Sequence, residues 1–223
     1  MTSNAVVVNL DVVPEQEEAR RYLGYPRDRQ ADARGARRLA ELWPAALSLL
    51  APRGAYVVVS RPEAEATGMP DPGDTGAVAA VTIGPALEEE ISGRSARGKP
   101  LDALVLDALG SAAAEAAADA LNLEICAVAR SRGLEAAPRV SPGYGDWDTA
   151  CQPRLLALLP TEELGIRLTA GAMMVPRKSV SFAVRFGKPG GVGPRAPTQC
   201  ERCGLVRCRH RIAPAGRGPD ETD

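Results

Sequence analysis

Residues 101–123, LDALVLDALGSAAAEAAADALNL, decide how the rest of the chain is read. Alanine supplies most of the helix propensity in this run. Gly110, Ser111 and the alanines give the helix a thin face, suited to close packing against a sheet or another helix. Asp102, Asp107, Glu115 and Asp119 make it acidic, with no basic residue inside the run. Residues 124–132 continue the helix. Residues 5–13 (AVVVNLDVV), 56–60 (YVVVS), 77–83 (AVAAVTI) and 180–186 (VSFAVRF) are apolar and β-branched, the mark of strands. Short strands are also expected at 166–169 and 173–175, flanking Gly171.

The remaining segments are read outward from that frame. Acidic residues after Pro14 and Arg20–Arg21 later in the stretch suit a helix that Gly24 ends. Residues 31–50 carry Leu39, Leu42, Trp43, Leu47 and Leu50 at helical spacing. Residues 61–76 and 92–100 read as loops, 87–91 as a helical turn and 154–159 as a short Leu-rich helix. Strands and helices intermix without a βαβα alternation. That predicts an α+β fold with a twisted, mostly antiparallel sheet packed by helices. The expected organisation is one domain over 1–186 and a Gly/Pro/Arg-rich tail over 187–223.

Composition narrows the function. The 223 residues are 45% apolar and 25% charged, with 27 basic and 28 acidic side chains and a formal charge of −1. This excludes a globally basic nucleic-acid binder. With 22 Gly, 19 Pro and only eight aromatic residues, the core rests on Val, Leu, Ile and Ala. No apolar run approaches the roughly 18 residues of a membrane span. The start has no signal-peptide pattern, so the expected location is the cytoplasm. His210 is the sole histidine, which removes multi-histidine metal sites. The seven arginines between residues 20 and 38 read as a solvated helix face or, alternatively, a surface for an anionic partner.

Two stretches hold the candidate chemistry. Arg139-Val-Ser-Pro-Gly-Tyr144-Gly-Asp-Trp147 is a shaped loop carrying an arginine fork and two aromatics. An arginine fork suits a carboxylate or phosphate, and an aromatic face suits a sulfonium or ammonium centre. A zwitterionic amino-acid-like ligand would satisfy both; a packed turn is the competing reading. The second stretch is Cys200-x-x-Cys203-x4-Cys208-x-His210. Three thiolates and one imidazole suit tetrahedral zinc, and three thiolates suit an iron–sulfur cluster with an open position. Reduced thiols on a flexible tail are the competing reading. Cys126 and Cys151 stand alone. From Arg185 to Arg217 there are eight basic residues and one acid, Glu201, so this tail also suits an acidic partner.

Arg139-x-x-x-Gly143-Tyr144 resembles the S-adenosylmethionine-binding motif of the activation domain of cobalamin-dependent methionine synthase. Arg21-Tyr-Leu-Gly-Tyr25 resembles an N-terminal motif of that domain's free-standing relatives. Gly165-Ile-Arg-Leu-Thr169 followed by Met173-Met-Val-Pro-Arg-Lys-Ser-Val-Ser181 resembles the family's region after the binding loop. The tail cysteines resemble those of the same free-standing relatives. The resemblance implies reductive reactivation of a corrinoid methyltransferase. S-adenosylmethionine would be the methyl donor, cobalamin would sit on a partner protein, and a flavodoxin-like donor would supply the electron.

Carried over, Arg139 would hold the ligand carboxylate, Gly143 would admit its backbone-close approach, and Pro142 and Tyr144 would line the site. Glu115, on the acidic helix, would face the sulfonium or amino group; a solvated or packed position is the competing reading. Val184 departs from the family, whose full-length enzyme has a ligand-contacting tyrosine there. The Asp-x-His-x-x-Gly cobalamin motif cannot exist with His210 as the sole histidine, so the corrinoid partner must act in trans. Two alternatives are a docking module that binds a corrinoid protein without the methyl donor, and a metal-tail nucleic-acid adaptor.

Overall fold

The computed structural model describes residues 4–25, 33–144 and 147–189. Its centre is a five-stranded antiparallel sheet. β1 (Val6–Asn9), β2 (Arg53–Ser60), β3 (Thr75–Thr82), β4 (Glu135–Ala136) and β7 (Ser179–Gly187) lie in the order β1-β2-β3-β7-β4. β5 (Arg167–Leu168) and β6 (Met174–Val175) form a separate small hairpin. The central register runs from Thr75 opposite Phe186 to Thr82 opposite Ser179.

Side chains alternate across this sheet with period two, so each face has its own core. Ala77, Ala79, Val81, Phe182, Val184 and Phe186 pack against one set of helices. Those are α1 (Gln16–Tyr22), α2 (Ala33–Leu47), α4 (Ala86–Ala96) and α5 (Pro100–Ser131). Ala55, Val57, Val59, Val78, Ala80 and Ala183 face α3 (Arg61–Ala66), α6 (Gln152–Leu156) and α7 (Thr161–Leu164). β3 is covered on both sides. Its run of Ala and Val is therefore apolar throughout rather than alternating.

α5 spans 32 residues, about 48 Å at the usual helical rise. The thin face expected of it is real. A Cβ on Gly110 would come within 2.9 Å of Leu87 Cδ2 and 3.3 Å of Lys178 Cε, so glycine is what lets α4 and the start of β7 close onto the helix.

Several boundaries differ from the sequence reading. The first strand is trimmed to Val6–Asn9, because Pro14 and its acidic neighbours belong to the approach to α1. The segment after β2 is not loop throughout. Ser60 donates its backbone N–H and its hydroxyl to Glu63 at 2.8 and 2.7 Å, and α3 starts there. α4 runs on to Ala96 through the stretch read as loop, held by Arg94 donating to Glu90. Among the arginines of residues 20–38, Arg21 pairs with Glu18, Arg37 with Glu41, and Arg38 with Glu41 and Asp102. These described arginines are paired within the fold rather than presented together as an open anion surface.

Candidate functional site

The site is built where β7 loses its neighbour. β4 pairs with β7 only at Gly187 and Phe186, and Val140 bridges Ala183 with 2.9 and 2.8 Å backbone bonds in both directions. Below that bridge, Ser179–Ser181 have β3 on one side and an open groove on the other. The loop that begins at Arg139 is thereby fixed along the strand. Tyr144 N–H bonds Ser141 O at 3.2 Å, and Gly143 N–H bonds Trp147 O at 2.7 Å. Gly143 sits at φ +89°, a conformation that favours glycine, and a Cβ there would lie 3.1 Å from Thr149 Cγ2.

Arg139 crosses from this loop to α5. It donates to Glu115 and, at 3.1 Å, to Asp119, which are one helical turn apart on the same face. Its guanidinium also lies over the Phe182 ring, 5.6 Å from the centroid. Burial disfavours the Arg139 charge, but the two carboxylates more than offset it and hold the pKa above the ordinary arginine value. The Arg139 side chain is 14% exposed, whereas Glu115 and Asp119 are 37% and 69% exposed. The cation is buried and its partners are wet.

Glu115, Arg139, Pro142 and Tyr144 line one groove of about 190 Å³. Four of the five ligand-binding residues expected from the sequence are thus brought together; Gly143 shapes the loop beside them. The sequence reading missed the opposite wall. Ser141, Gln152, Met174, Ser179, Val180 and Ser181 complete the groove. Ser181 Oγ donates to Gln152 Oε1 at 2.7 Å, and Ser179 Oγ to Pro176 O at 2.7 Å. Tyr144 is 48% exposed at the rim.

Trp147 does not join Tyr144 as a ligand-facing aromatic. It is 2% exposed, donates Nε1–H to Thr67 O at 3.3 Å, and packs with Cys151 and Leu155. Here the packed-turn reading of the loop holds. Val184 is fully buried on the α5 side and does not line the groove.

The other motif stretches converge on the same region. Tyr22 of α1 comes near Glu115; burial first, and that carboxylate second, push its hydroxyl up to about 12. Met174, in the stretch after Gly165–Thr169, forms part of the wall. Cys200, Cys203, Cys208 and His210 lie outside the described residues. Among the described residues no group of His, Cys, Asp and Glu is placed to hold a metal ion. None of their helices is long and apolar enough to cross a membrane.

A curled antiparallel sheet with helices on both faces and a charged groove along a free strand edge defines an α+β domain. Among solved structures it matches the MetH reactivation domain bound to AdoHcy, with a TM-score of 0.58 and 18% identity. The match covers 88% of this chain and 81% of that one. The chain shares that fold, as the motif resemblance predicted. No family model matches the chain, and no curated protein does.

Proposed function

We propose that this protein binds S-adenosylmethionine in the β7 groove and serves in reductive reactivation of a corrinoid methyltransferase supplied in trans. The observation that carries this is the convergence of Arg139, Pro142, Tyr144 and Glu115 in one groove of a fold shared with a domain bound to AdoHcy. In this reading Arg139 turns part of its fork from the wet Asp119 to the ligand carboxylate. A charge-assisted bidentate contact replaces a solvent-screened one. Glu115 keeps its place beside Arg139 and meets the ligand ammonium or sulfonium. Tyr144, half-exposed, covers the ligand at the rim. A corrinoid on the partner, with an electron from a flavodoxin-like donor, would supply the nucleophile for the methyl group, and S-adenosylhomocysteine would remain in the groove. The chain's own residues need only bind and orient the donor.

Calorimetric titration with S-adenosylmethionine tests this. Saturable binding by the full chain, lost in Arg139→Ala, is expected. Absence of binding by a folded wild type would overturn it. One observation favours a second reading, a docking module that binds no methyl donor: the Arg139 fork is already engaged by two carboxylates. We assign Cys200, Cys203, Cys208 and His210 as ligands of zinc or an iron–sulfur cluster, since their donor set fits either. Metal analysis and the visible spectrum of anaerobically purified protein decide between them.

A further inference from the structure

The groove has two chemically distinct halves. One is charged and runs along α5, lined by Arg139 and Glu115, with Asp119 behind them as the second partner of Arg139. The other is neutral and lies between the loop, β7 and α6. In that neutral half, two of the three serines have their hydroxyls committed: Ser181 donates to Gln152, and Ser179 donates to Pro176. The third does not. Ser141 is 7% exposed, lines the groove, and its buried Oγ has no hydrogen-bond partner. Gln152 is 8% exposed, and its amide oxygen is occupied by Ser181. No described residue accepts a hydrogen bond from its amide nitrogen. A buried hydroxyl without a partner is costly, and natural structures rarely keep one without a use.

We infer that Ser141 and Gln152 are specificity residues that hydrogen-bond the neutral nucleoside half of the ligand, while the charged half of the groove takes its amino-acid end. This rests on the proposed function for the identity of the ligand. The Ser141 hydroxyl and the Gln152 amide N–H groups are both donors in the lining of one groove. The hydroxyl and ring-nitrogen acceptors of an adenosine moiety complement such a set. Met174 supplies the apolar wall that a stacked heterocycle needs.

The test is calorimetric titration of the full chain with S-adenosylhomocysteine and, separately, with adenosine. Ser141→Ala and Gln152→Met are each expected to weaken both ligands about ten-fold. Arg139→Ala is expected to weaken S-adenosylhomocysteine and leave adenosine unchanged. Ser141→Ala deletes an unsatisfied hydroxyl, so the ligand-free variant should melt no lower than the wild type. Retained stability with lost affinity is a signature that a purely structural role does not produce. If both variants bind both ligands as tightly as the wild type, this inference is overturned and the proposed function stands. If the wild type binds adenosine alone, with loss on Ser141→Ala, the inference stands and the proposed function falls. If it binds neither, both fall.

Discussion

α5 carries two clusters in which arginine meets carboxylate, and they are built in opposite senses. At Asp102 a carboxylate is enclosed by two cations. Its side chain is 8% exposed and receives Arg38 at 2.6 Å on each oxygen and Arg94 at 2.9 Å. At Arg139 a cation is enclosed, and the carboxylates around it open to water. The first cluster is closed: each charge is matched, and α2, α4 and α5 are stapled by it. The second keeps two solvated acids for one buried base, the arrangement in which the proposed function has one acid exchanged for a ligand. The same residue types give a closed fastener in one place and an open, solvated cluster in the other, and solvent access to the carboxylates separates them.

The comparison breaks most visibly at Asp102. Asp102→Ala should cost about 2 kcal/mol, because Arg38 and Arg94 then keep only Glu41 and Glu90 and the contact that joins α2 and α4 to α5 is lost. Urea denaturation followed by circular dichroism measures this. The hydrogen bond from Arg38 holds the Asp102 carboxyl down to about 2, below its ordinary 3.8. Its folded-state value is depressed, so its contribution is complete above pH 3.8 and is lost as pH falls through 2. In Asp102→Asn the acid limb of the stability profile between those values should flatten.

The exchangeable cluster should respond in affinity rather than stability. Glu115→Gln is expected to weaken S-adenosylmethionine about ten-fold, whereas Asp119→Asn should leave it unchanged or tighten it two- to three-fold by removing a competitor for Arg139. Equal losses in the two variants would break the distinction drawn between these acids. A smaller effect tests the helix that links the clusters. Gly110→Ala should destabilise by about 1 kcal/mol, since the clash with Leu87 outweighs the gain in helix propensity. The smallest is spectroscopic. In an alkaline titration of tyrosinate absorbance, Tyr22 should ionise at about 12, and Glu115→Gln should lower that value.

The architecture was largely legible because the central strands and α5 have unmixed patterns: β-branched runs at 56–60, 77–83 and 180–186, and an alanine-rich run at 101–123. What was missed sits where a local device overrides composition. Pro62 and the following glycines made 61–76 look like loop, yet Ser60 and Glu63 cap a helix start. That spacing, Ser-x-x-Glu, was the available signal. β4 is two residues long and exists only because β7 offers it an edge. In the site, Arg139, Pro142 and Tyr144 were legible as neighbours in a motif, and Glu115 through the acidity of its helix. Met174 and Ser179–Ser181 were visible as part of a motif but not as a wall of this groove, and Gln152 was not visible at all, because strand register and the approach of α6 bring them there. No local pattern encodes that.

The Val140–Ala183 bridge carries one more consequence. Two backbone hydrogen bonds clamp the start of the loop that carries Arg139 to an internal strand of the sheet. The entropy of ordering the start of that loop is therefore lost during folding and would not be lost again on binding. The amide protons of Val140 and Ala183 should exchange with deuterated solvent at rates close to those of β3, with or without ligand. On the proposed function, ligand association would then call for side-chain rotation at Arg139 and no backbone rearrangement at Val140.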